Sequence, residues 1–516
     1  MNILLLEHPR SVCQERCNDI ANTPLSSCLN SGYAAVVLST KGHRVEIIEG
    51  FLQDLTYQEI EQRITEFKPD LLAVHMVYHW QDDLPLFSFL EKVKQAGLSR
   101  YITAFGFYPT IAYEDILAKC PGVDSVIVGE HELTIADLAE SVSEAKSVPR
   151  LLGLAVRDDE GGVTCTRREL ISDLDLLPFP TRTQAMFRIQ EVNLLGSRGC
   201  YGGCTFCYIN PFYGQSSHWR GRSPENIVAE IDNIIAEHGA KEFYFTDPNF
   251  FGPGQKGHER ALKLASLLKS RNIRFGIEAR VNDIHPETLG PLVEAGLHHL
   301  LIGLESGRDS SLRRLNKMTT VEQNERAIRL LREYEIEPNV GFIMFEPDSS
   351  LEDVRVNYEF LRRNQLLNNL PVTANLLYHH QIVLKGTPAY RHLLQEGRLK
   401  IQSSGYEATT AISNPQVELL AGIMRQITNY LFEQMAGIWG GKVPEPTGAP
   451  DRYAKVNCLL VQTFELSLGA LESGEEFDEE RVELLVTKVK KKIVETLGLE
   501  KRKPNSPIKQ KTTDLC

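Results

Sequence analysis

Three cysteines, Cys200, Cys204 and Cys207, fall inside eight residues of the stretch Gly199-Cys200-Tyr201-Gly202-Gly203-Cys204-Thr205-Phe206-Cys207-Tyr208. Thiolates this close converge on one point when something bridges them, and the usual bridges are a zinc ion or an iron–sulfur cluster. A structural zinc site takes four protein ligands. No fourth Cys or His adjoins Cys207; the nearest that follow are His218 and His238. Three thiolates around a four-iron cluster leave one iron open to a small molecule, and an open position means chemistry rather than scaffolding. A loop of free or zinc-bound thiols is the bland alternative.

The elements around this loop must hold it. Val192–Leu195 reads as a strand leading into it. Further apolar runs at Glu242–Thr246, Arg274–Ala279, Leu300–Leu304, Val340–Met344 and Ala374–Tyr378 read as strands, six in all, with helical stretches between them. That alternation predicts a partial α/β barrel over residues 193–400. Ser223 followed by Pro224 predicts a helix start, with the serine as cap and the proline at the first position. Asp247, Glu278, Arg280, Glu305 and Ser306 all fall at predicted carboxyl ends of strands, the edge that carries the active site in barrel folds. Glu278 or Arg280 taken singly also reads, as the lesser alternative, as a salt-bridge partner.

Residues 1–145 show a second alternation. Strands are expected at Ile3–Leu6, Val45–Ile48, Leu71–Val74, Ile102–Phe105 and Ser125–Val128, with helices at 25–40, 57–67 and 84–95. This predicts a Rossmann-like parallel sheet with helices on both faces, which binds ligands at the carboxyl ends of its strands. The loops at 7–12, 75–80, 106–110 and 129–134 are therefore the informative ones. Residues 146–192 read as a linker with a hairpin around Asp158-Asp159-Glu160-Gly161-Gly162. Residues 401–516 carry helical periodicity at 415–437, 455–471 and 479–497, so a small helical domain is expected. The basic residues near the end, Lys488–Lys492 and Lys501-Arg502-Lys503, read as a solvated face.

Composition bounds the function. The chain has 516 residues, 42% hydrophobic and 24% charged, with 56 Lys and Arg against 68 Asp and Glu for a net charge of −12. The acidic balance argues against nucleic acid as a partner, because phosphate binding wants a basic face. No apolar run reaches membrane-spanning length. The first residues read as a buried strand rather than a signal peptide. Ten cysteines are too sparse for a disulfide scaffold and suit a reducing cytoplasm.

The cysteine spacing, with Phe206 before the last cysteine and Tyr208 after it, resembles the Cys-x3-Cys-x2-Cys signature of radical S-adenosylmethionine (SAM) enzymes. The upstream loops resemble those of the cobalamin-binding domains found in part of that superfamily: Gly106-Phe107-Tyr108-Pro109-Thr110, then Val128-Gly129-Glu130-His131-Glu132-Leu133-Thr134. Asp173-Leu174-Asp175-Leu176-Leu177-Pro178-Phe179-Pro180 resembles their interdomain linker. The resemblance implies a 4Fe–4S cluster on Cys200, Cys204 and Cys207. It implies S-adenosylmethionine held near Phe206, Tyr208, Asp247, Glu278, Arg280, Glu305 and Ser306. It implies cobalamin against Gly106, Tyr108, Pro109, Thr110, Gly129, Glu130 and Thr134. The family's Asp-x-His-x-x-Gly motif, whose His ligates cobalt, is absent. Tyr78, His79 and Trp80 stand after the third strand, where one of them would ligate or shield cobalt, or where they simply cap the sheet. Cys13, Cys17 and Cys28 do not match the spacing of a second cluster. Asn316 and Lys317 resemble a family phrase and read as helix ends supporting the fold.

The resemblance implies reductive cleavage of S-adenosylmethionine to a 5′-deoxyadenosyl radical. Methyl transfer from methylcobalamin to an unactivated carbon of a small-molecule or peptide substrate would follow, with a flavodoxin or ferredoxin as electron donor. The alternatives are a radical cyclase or rearrangement enzyme of the anaerobic porphyrin cyclase type, an enzyme whose upstream domain no longer binds cobalamin, and a non-catalytic iron–sulfur or zinc module.

Overall fold

The computed structural model describes residues 1–9, 27–77, 84–144, 150–189, 191–214, 219–401, 407–439 and 443–499. Tyr78, His79 and Trp80, the cysteines at 13 and 17, His218, Lys501–Lys503 and the terminal Cys516 lie outside these residues. The described residues fall into two compact units. One takes in the chain up to Ile343 together with Gln381–Ala411; the other takes in Met344–His380 and the chain from Ile412.

The first unit opens with β1 (Asn2–Glu7), α1 (Ser27–Thr40), β2 (Arg44–Glu49), α2 (Tyr57–Phe67), β3 (Leu71–His75), α3 (Leu84–Gln95), β4 (Tyr101–Phe105), α4 (Phe107–Lys119), β5 (Ser125–Ile127) and α5 (Glu132–Ser143). The hairpin strands β6 (Leu154–Arg157) and β7 (Val163–Cys165) follow. The sheet order is β2-β1-β3-β4-β5-β6-β7, with β1 to β5 parallel and the hairpin antiparallel at one edge. Strand side chains alternate between faces, and the core divides accordingly. Leu4, Leu6, Leu72, Val74 and Ile102 pack with α2, α3 and α4. Ile3, Leu5, Leu71, Ala73 and Phe105 pack with α1 and α5. Each fully buried Leu, Ile, Val or Phe among them contributes about 1.5–3 kcal/mol. Burial on both faces explains why β1 and β3 read as unbroken apolar runs. The order reverses between β1 and β3, so the crevice for a ligand lies at their carboxyl ends.

The chain then runs through β8 (Val192–Leu194), β9 (Ser197–Arg198), α6 (Ile209–Tyr213), β10 (Arg220–Gly221), α7 (Pro224–His238), β11 (Glu242–Phe245), α8 (Gly254–Leu268), β12 (Arg274–Arg280), α9 (Pro286–Glu294), β13 (Leu297–Glu305), α10 (Asp309–Arg314), α11 (Val321–Glu333) and β14 (Asn339–Phe342). The order β14-β13-β12-β11-β8 is parallel throughout. Ser223 caps α7 by accepting from the Asn226 N–H at 3.1 Å, with Pro224 in the first turn.

The second unit begins with α12 (Leu351–Arg363) and α13 (Leu370–Leu376). Here the expected sixth strand at 374–378 fails, because α13 occupies it. Asn369 caps that helix and Pro371 starts it. A short, mostly apolar run does not separate a buried helix from a strand. Strand-like pairing nearby reduces to one isolated parallel bridge, Phe345 with His380. Returning to the first unit, β15 (Val383–Leu384), α14 (Pro388–Gln395), β16 (Lys400–Ile401) and β17 (Glu407–Thr409) form a small sheet and its helix. The second unit closes with α15 (Pro415–Trp439), α16 (Ala449–Glu472) and α17 (Glu479–Leu497). Tyr358 of α12 stacks on Phe464 of α16 at 5.0 Å, and Arg355 pairs with Glu472 at 2.5 Å. No helix among the described residues is long and apolar enough to cross a membrane.

Candidate active site

The cysteine loop leaves the carboxyl end of β8 and is gripped from several sides. Asp247, after β11, accepts from the Gly196 N–H and the Ser197 hydroxyl, each at 2.7 Å. It braces the strand that leads into the loop, and burial pushes its carboxyl up to about 6. Within the loop, the Gly202 N–H donates to Cys200 Sγ at 3.3 Å. Arg280, at the end of β12, donates through Nη1 to Cys204 Sγ at 3.3 Å. A Cβ on Gly202 would stand 2.1 Å from that guanidinium nitrogen, so a side chain there would displace Arg280. Phe206 is half-buried, and the Tyr208 ring meets Phe107 of α4 edge-on at 5.1 Å.

The turn at 315–318 is the partner that sequence reasoning undervalued. Asn316 Nδ2 donates to the Gly203 carbonyl at 2.7 Å, and the Thr205 N–H donates to the Leu315 carbonyl at 3.0 Å. The Lys317 carbonyl accepts from Arg280, and its ammonium pairs with Glu305 at 2.7 Å. Asn316, Met318 and Glu305 all adopt left-handed backbone, with φ of 49°, 58° and 63°. Non-glycine residues held this way store strain and cluster at functional sites. Asn316 and Lys317 thus support the cysteine loop and Arg280 as well as following a helix end. Their signal was the sequence phrase itself, read without a partner to place it against. Ser306 is buried beyond Glu305, and Asn324 donates to its carbonyl at 3.0 Å. Glu278 lies within β12, two residues before Arg280, accepts from the Tyr244 hydroxyl at 3.2 Å, and is pushed up to about 7 by burial.

These surroundings decide what the loop can hold. Burial raises the Cys200 thiol and takes the Cys207 thiol up to about 12. Only a bound metal would keep such thiols ionised. Among the described residues, the one group of three His, Cys, Asp or Glu with ligand atoms all within 4.8 Å of one another lies elsewhere, at Glu191, His298 and His299. Three thiols on one loop would hold a 4Fe–4S cluster. Arg280 and Lys317 supply positive charge beside it, and hydrogen bonds to sulfur tune such centres.

The upstream edge is built otherwise. Thr110 donates to the Gly106 carbonyl at 2.8 Å and accepts from the Gly129 N–H at 2.9 Å, tying the loops after β4 and β5 together. Tyr108 and Pro109 are buried in α4. Thr134 donates to the Leu152 carbonyl at 3.1 Å and accepts from Arg168 at 3.0 Å, so its hydroxyl faces the hairpin. Glu130 accepts both arms of Arg220 at 3.0 Å, Arg198 at 2.9 Å and the Ile171 N–H at 2.8 Å. Glu132 accepts Arg198 at 2.5 Å. Burial alone would raise the Glu132 carboxyl, but the Arg198 charge holds it well below its usual range. Backbone is what this edge offers a large ligand. Gly129 has φ +87°, with nothing within 4 Å of the place a Cβ would take.

Residues 194–361 match the radical SAM superfamily, and residues 29–139 match the B12 binding domain. The chain is a radical SAM enzyme with a B12-binding domain. It is similar to an uncharacterized methyltransferase of Pyrococcus horikoshii, 25% identical over 371 residues that cover 70% of this chain and 78% of that one. It is also similar to the anaerobic magnesium-protoporphyrin IX monomethyl ester cyclase of Rubrivivax gelatinosus, 26% identical over 348 residues, 64% of this chain and 61% of that one. The fold is that of the cobalamin-dependent SAM radical enzyme OxsB solved with aqua-cobalamin and S-adenosylmethionine. Its TM-score is 0.77 at 20% identity, covering 96% of this chain and 79% of that one.

In this radical SAM enzyme the polar core of the B12-domain edge escaped sequence reasoning. Glu7 ends β1 and His75 ends β3, flanking the point where strand order reverses. Both are fully buried, with His75 Nδ1 2.9 Å from Glu7. Ser31 donates to Glu7 at 2.5 Å, and Asn30 lies 3.2 Å from His75. Their signal was a charged residue closing each apolar strand, which the apolar count passes over.

Proposed function

We propose that this enzyme transfers a methyl group from cobalamin to an unactivated carbon of a small-molecule or peptide substrate. The observation that carries this reading is the junction of the two edges. Arg198 sits two residues before Cys200, and its guanidinium is held by Glu130 and Glu132 at the start of α5. The B12-domain edge is thereby tied to the strand that delivers the first cysteine.

In this reading Cys200, Cys204 and Cys207 hold a 4Fe–4S cluster, and Gly106, Gly129 and the loops about them face cobalamin. The cluster supplies the electron that cleaves S-adenosylmethionine, and cobalamin supplies the methyl group. The protein's own work is positional. Arg280 and Lys317 compensate negative charge at the cysteine loop. Glu305 and Ser306, with Phe206, Tyr208 and Glu278, border the space for S-adenosylmethionine, while Asp247 holds the loop's entry strand. The electron donor is a flavodoxin or ferredoxin, and the setting is the cytoplasm.

The test is anaerobic reconstitution with iron, sulfide and hydroxocobalamin, then incubation with a low-potential reductant (dithionite or reduced flavodoxin), trideuteromethyl-labelled S-adenosylmethionine and candidate metabolites. The expected result is retained cobalamin, 5′-deoxyadenosine and a product heavier by one labelled methyl group. Retention of no cobalamin after desalting would remove the methyl carrier. The cyclase similarity favours a second reading, ring formation, which would yield 5′-deoxyadenosine and an unlabelled product.

A further inference from the structure

At the amino ends of the barrel strands, away from the cysteine loop, two histidines and a carboxylate converge. Glu191 immediately precedes β8, and His298 and His299 open β13. Glu191 Oε1 lies 3.7 Å from His298 Nε2 and 3.4 Å from His299 Nδ1, and those two nitrogens are 3.2 Å apart. Metal bonds of ~2.0–2.1 Å in a tetrahedron put neighbouring ligand atoms about 3.3–3.4 Å apart. The three observed edges bracket that value.

The strand is shaped to bring these groups together. Adjacent residues of a regular strand point to opposite faces, so two consecutive histidines should diverge. The pairing of β12 with β13 shifts register between Phe275 and Gly276, which absorbs His298 as an extra residue. Such bulges re-aim side chains. Gly276 leaves room for the His299 ring, since a Cβ there would stand 2.2 Å from Nε2. Tyr244 stacks on the same ring at 5.3 Å. His298 Nδ1 lies 3.0 Å from the Phe275 carbonyl, an arrangement that puts the proton on Nδ1 and the lone pair of Nε2 toward Glu191. Glu191 Oε1 is buried with no hydrogen-bond partner among the described residues. Glu242 adds a second carboxylate oxygen 3.9 Å from His298 Nε2.

We propose that Glu191, His298 and His299 form a divalent transition-metal site of the zinc type, with the fourth position open to water or Glu242. Imidazole with carboxylate selects zinc and its first-row neighbours over magnesium or calcium. Because β8 and β13 are separated by two strands in the sheet, the ion staples the base of the barrel across its concave side.

The experiment uses full-length, cluster-reconstituted protein, desalted, given zinc chloride and desalted again, with zinc and iron counted by plasma mass spectrometry. Wild type is expected to keep one zinc per chain beyond its cluster iron. Glu191→Gln and His299→Ala are each expected to bind zinc ~100-fold or more weakly, and so to lose it on desalting while keeping their iron. Wild type that retains no zinc, or variants that retain as much as wild type, would overturn the site. Should His299→Ala fail to fold, the near-isosteric Glu191→Gln decides the question alone.

Discussion

At the barrel edge, Arg280 and Asn316 turn onto the cysteine loop, with the Lys317 carbonyl on Arg280 and Glu305 holding the Lys317 ammonium. At the upstream edge, Thr110, Glu130 and Thr134 turn onto backbone carbonyls and arginines of neighbouring elements. Both edges close parallel strands, yet one presents side-chain chemistry and the other presents shape. A small charged centre needs point charges and donors at short range. A broad, largely apolar ligand face needs backbone that lets it approach, with polar side chains consumed in fixing the loops.

The largest test of this contrast is Cys204→Ala. Loss of a direct ligand should exceed the ~10–100-fold effect of an outer-shell change. Cluster absorbance and S-adenosylmethionine cleavage should both vanish, while hydroxocobalamin retention persists. Full cluster content in this variant would sink the assignment of the loop.

Next comes Arg198→Met at the junction. It strands the buried Glu132, while Glu130 keeps Arg220, and breaking a buried pair costs roughly 3–5 kcal/mol, readable by denaturant unfolding. The pH dependence has a definite sign. The Glu132 carboxyl lies below its ordinary 4.5 in the folded state, so its contribution is present above that pH and is lost as pH falls below it. The variant should lack that acid-side loss.

Glu278→Gln moves in the opposite direction. Burial raises Glu278 from 4.5 to about 7. Its ionisation therefore costs stability increasingly from pH 4.5 to 7 and by a constant amount above that. The neutral amide should stabilise the protein by up to roughly 3 kcal/mol at pH 8 and by nothing at pH 4. Equal stability of the two proteins at both pH values would contradict the buried charge.

The smallest effect belongs to Thr134→Val. It loses the bond to the Leu152 carbonyl and should cost about 1 kcal/mol, with cobalamin retention unchanged. A marked fall in retention would place the hydroxyl on the ligand and weaken the contrast between the edges.

Much of this molecule was legible before any coordinates. Spacing singled out Cys200, Cys204 and Cys207 as the candidate cluster ligands, and the 57–67 and 84–95 helices agree with α2 and α3 to the residue. The failed strand at 374–378 shows the limit, since so short a segment, apolar but for Asn375, satisfies either period and Asn369 with Pro371 decided for helix. Lys317 and His75 were hidden for another reason. A lysine in a turn and a histidine at a strand end look ordinary until a partner distant in sequence, Glu305 or Glu7, lies opposite.

By itself, then, the sequence determined which elements form and which residue types stand at their ends, because periodicity and turn chemistry are local. Only the tertiary structure decided what those end residues do. It turned Glu130 into a tether for Arg198, gave Asn316 the cysteine loop to hold, and gathered His298 and His299 through a register shift. Such roles depend on electrostatic and hydrogen-bond partners from strands far apart in the chain, and the register that pairs them is fixed by packing.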